Sequence, residues 1–499
     1  MKGRNEMNLN FNTYRDKVYA CWLGKNIGGT MGTPYEGTHE ILDIKGFATE
    51  ANVVLPNDDL DLQLVWLHAV EKSGPYAINA NLLGEYWLSF IPPHWNEYGL
   101  GKANMKRGLM PPLSGDYDND WKHSNGAWIR TEVWASLAPA APAVAAKYAI
   151  EDAMVDHGMG EGTYAAAFVA AMQSAAFVVS DINKAIEIGL ASIPADCRLA
   201  KSIALVYECY NNGIPPMEAR EKIRLQNADI GNGWFEAPSN VAYTVLGLLY
   251  GEGDFKKSMI IAINCGDDTD CTGGTVGATL GILGGMKIIP EDWKEHLGDS
   301  IVTMSVDVGT LRTIPTTCSE LTDRVVNMAP IVLAANDIKT TITDTEDDIP
   351  ENIADEFLAD KNTITRLTTL KPYSMSVEAP YMTVSVAFDG APEIAPMGEK
   401  KVTLTFENKA WGSSPIRRNI LGNMPYTLTL RWLGAEGFTV EGKTCVIMPH
   451  KNTHYDDHKV SIDVTIRAGE TVQPINRLVL EVNAIGRGMP TYLPVTLIG

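Results

Sequence analysis

The hydrophobic period of this chain changes once, near residue 340, and that change limits what the chain can fold into. Before it, alanine-rich stretches repeat at helical spacing over Thr163 to Ser180, Val241 to Tyr250 and Phe255 to Asn264. After it, apolar and polar residues alternate in Tyr381 to Phe388, Lys401 to Phe406, Tyr426 to Trp432, Val460 to Ile466 and Leu478 to Val482. A period of 3.6 buries one stripe of a helix and a period of two buries one face of a strand, so the two parts need different architectures. At 499 residues the chain also exceeds one ordinary core. The expectation is an all-α domain over residues 1–340, a linker over 341–363 and an all-β sandwich over 364–499. The acidic run Thr341 to Pro350 opens the linker, and a short helix is expected from Glu351 to Ala359. Proline pairs such as Pro92-Pro93, Pro111-Pro112 and Pro215-Pro216 break the helical part into elements joined by long loops.

Two short segments concentrate carboxylates. Asn57, Asp58, Asp59 and Asp61 lie at the start of an apolar helix-like run that continues to Leu67. One such residue suffices to cap a helix by accepting a free backbone N–H, so four exceed that need. Asp267, Asp268 and Asp270 crowd before a second helix built of small residues, in which Gly273, Gly277, Gly281 and Gly285 recur every four positions. Such a bare stripe lets another helix approach closely, and that packing must offset the roughly 0.8–1 kcal/mol that each glycine costs a helix. Two acidic helix starts in one domain suggest convergence. Carboxylates that share a site cannot all stay ionised without cations. Oxygen-only ligands favour magnesium, or manganese in its place, over zinc.

Composition bears on partners. The formal net charge of −20 leaves no basic excess to neutralise phosphates, so nucleic acid is not expected as a partner. The bland reading of that charge is solubility; the sharper one is a protein that gathers carboxylates around cations. Cys21, Cys197, Cys209, Cys265, Cys271, Cys318 and Cys445 form no Cys-x-x-Cys pair, which argues against a zinc knuckle and for reduced thiols. No apolar run reaches the roughly 18–20 residues that span a bilayer, and Met1 to Phe11 lacks a signal-peptide core. A cytoplasmic protein with no membrane partner is expected.

These segments resemble the ADP-ribosylglycohydrolase family. Its motifs appear in order over roughly residues 14–300: Trp22-Leu-Gly-Lys-Asn-Ile-Gly-Gly-Thr-Met-Gly-Thr-Pro-Tyr-Glu36, Asn57-Asp-Asp-Leu60, Ser124-Asn-Gly-Ala-Trp-Ile-Arg130, Asp156-His-Gly-Met159 and Gly266-Asp-Asp-Thr-Asp-Cys271. The β-rich tail lies outside the resemblance. Carried over by position, it implies two magnesium ions held by Asn57, Asp58, Asp59, Asp268, Asp270 and Thr272. It implies Glu36 as the glutamate that moves a proton, with Asp59 and Asp268 as the other catalytic carboxylates. Asn125, Gly126 and His157 would contact the sugar. Three positions depart from the family pattern: Asn57 stands for a threonine, Cys271 for a threonine whose hydroxyl binds metal, and Gly29 for an aspartate. A thiol suits magnesium badly, so Thr272 is expected to substitute for Cys271.

The resemblance implies hydrolysis of an N- or O-glycosidic bond at the anomeric carbon of ADP-ribose or a related ribofuranoside, small or protein-linked, and it is compatible with self-association. Two other readings stay open: a different furanoside or nucleoside-derived substrate, and a non-catalytic, crystallin-like or ligand-binding role. Other residues have plainer readings. Glu161 faces the same cleft as His157 or the surface. Asp116, Asp118 and Asp120 form a solvated loop, as do His450, His454 and His458 beside Asp456 and Asp457. Trp95, Trp121, Trp128 and Trp234 pack in the core or offer a stacking platform. Asn232 to Glu236 precedes a helix and could line the pocket.

Overall fold

The computed structural model describes residues 6–409, 425–449 and 458–499. It divides into two compact units, one formed by Met1–Lys102 and Asp118–Thr369 and the other by Ala103–Tyr117 and Leu370–Gly499. No helix among the described residues is long and apolar enough to cross a membrane.

The first unit is helical. Its longest helix, α1 (Phe11–Gly32), starts where Asn10 Oδ1 accepts the backbone N–H of Thr13 at 3.0 Å. The strand before it, β1 (Met7–Asn10), pairs in parallel with β2 (Thr340–Thr343). Helix α2 (Asp58–Ser73) carries the first acidic segment in its first turn. The three alanine-rich stretches are helices over Glu161–Ala176, Ala237–Tyr250 and Phe255–Asn264. Their side chains are buried almost all round, which is why their sequences show so little amphipathic contrast.

The second unit holds two antiparallel sheets. One has the order β11 (Thr491–Ile498), β10 (Ile475–Ala484), β6 (Tyr426–Leu433), β8 (Cys445–Met448). The other runs β3 (Ser374–Ala379), β4 (Met382–Phe388), β5 (Glu399–Asn408), β9 (Lys459–Ala468), β7 (Phe438–Glu441). Alternate residues of both, including Leu404, Phe406, Val464, Leu480 and Leu493, form one apolar core, as a sandwich requires. All five alternating stretches are strands. The sequence gave no clear sign of β7, which is four residues long, or of β11, where Pro494 interrupts the pattern. A proline is tolerated there because β11 is an edge strand.

Three boundaries differ from the expectation. The segment 341–363 is not a free linker, since Thr340–Thr343 is a paired strand and Ile353–Ala359 is a helix within the first unit. The chain from Ile364 is still helical, over Asn362–Thr369, and strands begin only at Ser374. Residues 103–117 belong with the sheets: Leu109, Leu113 and Tyr117 enter the β core, and the Tyr117 hydroxyl donates to Glu393 Oε1 at 2.8 Å. Of the histidine group, His458 lies 3.0 Å from Glu407 Oε1; His450, His454, Asp456 and Asp457 lie outside the described residues.

Candidate metal centre

Glycine meets glycine at the root of the site. Helix α1 packs along the helix Thr269–Gly284 with no side chains between the two backbones. A Cβ on Gly24 would overlap the Gly277 carbonyl, one on Gly28 the Gly273 carbonyl, and one on Gly32 the Thr269 carbonyl. Three of the four stripe glycines, Gly273, Gly277 and Gly281, face α1, whereas Gly285 ends the helix at φ +69°. Thr269 Oγ1 fastens the crossing by donating to Gly32 O at 2.8 Å. This contact carries the turn after α1, with Glu36, up to the aspartates that open the glycine-rich helix. Gly37 N donates to Asp267 O at 2.8 Å, and Asp267 N returns a bond to Thr38 O at 2.6 Å.

The acidic segments meet. Ligand atoms of Glu36, Asp268 and Asp270 lie within 4.8 Å of one another, as do those of Asp59, Asp270 and Cys271. Asp58 is half-buried and accepts the Tyr98 hydroxyl on Oδ2 at 2.9 Å. Asn57 caps α2 through Oδ1, which accepts Asp59 N at 2.8 Å, and its amide nitrogen occupies the space that a Cβ at position 29 would need. The departures at 29 and 57 are therefore neighbours in space. Asp59 is fully buried. Lys25 Nζ lies 3.0 Å from its Oδ2, and the Cys271 thiol donates to its Oδ1 at 3.2 Å. Asp268 accepts Asn125 Nδ2 on Oδ2 at 2.6 Å. The remaining oxygens, Asp268 Oδ1 and Asp270 Oδ1, are buried with no hydrogen-bond partner.

Burial and mutual repulsion push these acids up. Glu36 rises to about 7, first through loss of solvent around its carboxyl and then through Asp58 and Asp59. The residue as a whole remains exposed, so its backbone side meets water while the carboxyl end faces the cluster. Asp270 also rises to about 7, from burial and then Glu36. Asp268 rises well above the carboxylate range through burial, then Asp270 and Glu36. Carboxyl oxygens in this arrangement are either protonated or bound to a cation. The donors Glu36, Asp268 and Asp270 are all oxygens, and two of those oxygens are buried and unpaired; they fit a hard divalent ion.

Several expected residues have other tasks. Thr272 is not brought into the cluster. Its hydroxyl turns back along its own helix to Thr269 O at 3.2 Å, and Cys271 takes the place beside Asp59 and Asp270. His157 is fully buried with both ring nitrogens engaged, at 2.8 Å from Asp156 Oδ1 and 3.2 Å from Ser124 Oγ. It therefore has no free edge for a sugar and instead braces the loop that carries Asn125. Gly126 sits against Glu97 and Tyr98, where a Cβ would collide with both, and its carbonyl accepts Arg130 Nη1. Arg130 is in turn clamped by Asp152 and Asp156. Glu161 faces neither cleft nor solvent; it accepts the N–H groups of Arg198 and Leu199 at 2.8 and 3.0 Å, capping another helix. Asp267 is separated from its neighbours and fastens the 232–236 loop by accepting Phe235 N at 2.9 Å. Trp128 is a core residue, Trp95 is 44% exposed beside Tyr98, and Trp121 and Trp234 meet edge to face at 6.1 Å. Asp118 and Asp120 are exposed, and Asp116 is part of the other unit.

The sequence reading passed over Lys25, although it lies inside the first motif. The Lys25 ammonium is 1% exposed and is shared among Asp59, Glu132 Oε1 at 3.3 Å and the Ile129 carbonyl at 2.7 Å. A charged residue among glycines on a helix destined for burial was the available signal. Asp61 was quoted but not assigned; its Oδ2 accepts Met304 N and Ser305 N at 2.6 and 2.7 Å and fixes that loop to α2.

The family model described as ADP-ribosylglycohydrolase matches residues 10–329. Among solved structures, one titled "ADP-ribosylglycohydrolase-related protein complex" is 18% identical, with 64% of this chain and 99% of that chain covered at a TM-score of 0.41. A FixG-related protein from Vibrio parahaemolyticus is 14% identical, with 24% of this chain and 97% of that chain covered at a TM-score of 0.19. At those scores neither structural likeness bears on activity. No curated protein matches the sequence. The matched region spans both aspartate segments, the turn that carries Glu36 and the loop that carries Asn125, and over that region the chain belongs to the ADP-ribosylglycohydrolase family.

Proposed function

We propose that this chain is a metal-dependent glycoside hydrolase that cleaves an N- or O-glycosidic bond at the anomeric carbon of ADP-ribose or a related ribofuranoside. The observation that carries the reading is the pair of buried, unpartnered oxygens on Asp268 and Asp270, gathered with the Glu36 carboxyl. Magnesium, or manganese, would be held by Glu36, Asp268 and Asp270 with Asp58 alongside; when bound it supplies Lewis acidity for sugar hydroxyls and water.

The chain's own residues supply the rest. Glu36 lies on an exposed turn at the edge of the cluster, where it can exchange a proton with water or with a leaving group. Positive charge grows on the anomeric carbon as the bond breaks, and Asp268 is placed to stabilise it, held in orientation by Asn125. Asn125 is itself fixed by Trp128 Nε1, which donates to its Oδ1 at 3.0 Å. Trp95, beside Tyr98 and hence beside Asp58, offers an exposed ring to the substrate.

One observation favours a less charged substrate. A cavity of about 570 Å³ adjoins Asp267, and its charged lining sets Arg220 and Arg224 against Glu40, Glu221 and Asp267. Arg220 spends its donors on Cys265 O, His39 O and Glu221. That balance does not recruit a diphosphate, so simple ribofuranosides or nucleoside-derived metabolites join ADP-ribose as candidates. The deciding experiment strips the protein with chelator, restores magnesium, and compares sugar release from ADP-ribosylated protein, ADP-ribose conjugates and simple ribosides. Magnesium-dependent release from any of these supports the proposal. Absence of release from all of them, with the cation bound, would favour the non-catalytic reading.

A further inference from the structure

The family resemblance implies two ions, but the acidic cluster is divided unevenly. We propose that this chain binds one divalent cation, at Glu36, Asp268 and Asp270, and that the Lys25 ammonium permanently fills the role of a second positive charge at Asp59. The inference rests on the reading above that the cluster holds a hard cation.

Asp59 has no free oxygen to offer. Its Oδ2 lies 3.0 Å from Lys25 Nζ and its Oδ1 accepts the Cys271 thiol at 3.2 Å. The lysine cannot easily withdraw. It is 1% exposed and is also held by the Ile129 carbonyl at 2.7 Å, Thr275 Oγ1 at 3.2 Å and Glu132 Oε1 at 3.3 Å. A cation approaching Asp59 would have to displace an ammonium with no route to solvent and would meet a sulfur donor, which a hard ion disfavours. The opposite side of the cluster has the reverse character. Asp268 and Asp270 are 5% and 4% exposed, and each keeps one buried oxygen with no partner. Those oxygens, with Glu36, form the all-oxygen group. Asp270 is common to both groups, so a single ion beside Asp268 uses the carboxylate that a second ion would also need.

The test uses the full chain, stripped of metal and titrated with Mn2+, with bound ion counted by calorimetry and by electron paramagnetic resonance. One ion per chain with the six-line spectrum of an isolated Mn2+ is expected. Two ions per chain, or an exchange-coupled spectrum, would overturn the single-ion inference and leave metal-dependent hydrolysis standing. No bound ion would overturn both. Two variants locate the ion. Asp59→Asn should keep the one-ion count and lose less than about tenfold in affinity, the lower edge of what an outer partner costs. Asp270→Asn should lose more than about 100-fold, beyond the range of outer partners. Loss of the ion in Asp59→Asn, or its retention at full affinity in Asp270→Asn, would contradict the assignment.

Discussion

Lys25 Nζ stands 3.0 Å from Asp59 Oδ2 with both side chains closed off from solvent. The same ammonium reaches Glu132 Oε1 at 3.3 Å, and Gln63 Nε2 donates to Glu132 Oε2 at 2.8 Å, so one buried network joins α1, α2 and the segment around Glu132. Replacing Lys25 with Met keeps the apolar stem but leaves two buried carboxylates without their cation. Removing one member of such a buried pair typically costs about 3–5 kcal/mol. Denaturant unfolding of Lys25→Met should show a loss of that order. A loss under about 1 kcal/mol, the size of an exposed ion pair, would mean that the network is not buried as described.

The glycine crossing gives a second prediction with a contested sign. Gly277→Ala gains up to about 1 kcal/mol of helix propensity. Against that, the new methyl would overlap the Gly24 carbonyl and crowd Met259, and a backbone atom cannot swing aside as a side-chain end can. Overpacking of this kind costs about 1–3 kcal/mol, so the variant should be less stable on balance. Because the crossing aligns Glu36 with Asp270, Mn2+ affinity should fall with it. A variant more stable than the parent would show that the helices are not in backbone contact.

Acidic groups held above their ordinary range make metal-free stability depend on pH. Glu36, Asp61 and Asp270 are pushed up to about 7, and so is Glu236, in each case chiefly by burial. The folded state therefore keeps protons that the unfolded chain has released by about pH 4–4.5. Where the folded state binds more protons, stability falls as pH rises, so the metal-free protein should lose stability between about pH 4.5 and 7. A divalent cation needs the deprotonated ligands, so magnesium should raise Tm more at pH 8 than at pH 5. Thermal scans at both pH values, with and without magnesium, check this. An equal or larger gain at pH 5 would contradict it.

Asn125 acts through Asp268 rather than on the cation itself. Its amide donates to Asp268 Oδ2 at 2.6 Å and is locked by Trp128. Asn125→Ala should lower Mn2+ affinity by about 10–100-fold, as loss of an orienting partner does. Calorimetric titration would show it, and Asn125→Asp, which sets a second carboxylate against Asp268, should not rescue binding.

The parts of the site legible in the sequence were those with repeated local signals. Two aspartate-rich helix starts and a four-residue glycine period announced a shared acidic site and a close helix crossing, and the structure has both. What stayed hidden depended on partners far along the chain. Nothing local distinguishes Asp267, which clips loops together, from Asp268 and Asp270 two residues away. His157 reads as a ligand until Asp156 and Ser124 are seen to engage both of its nitrogens. Thr272 and Cys271 are adjacent, and only the phase of the helix decides which faces Asp59. In the fold, alternation revealed the long strands, while the transfer of residues 103–117 to the β core came from three apolar side chains, Leu109, Leu113 and Tyr117, too few to form a period.

The central claim is that Glu36, Asp268 and Asp270 enclose a cation. Anomalous diffraction from crystals soaked in Mn2+ addresses it directly. The account predicts a single strong anomalous peak among those three carboxylates, with none beside Asp59. A peak elsewhere, or no peak at saturating Mn2+ in well-ordered crystals, would contradict it.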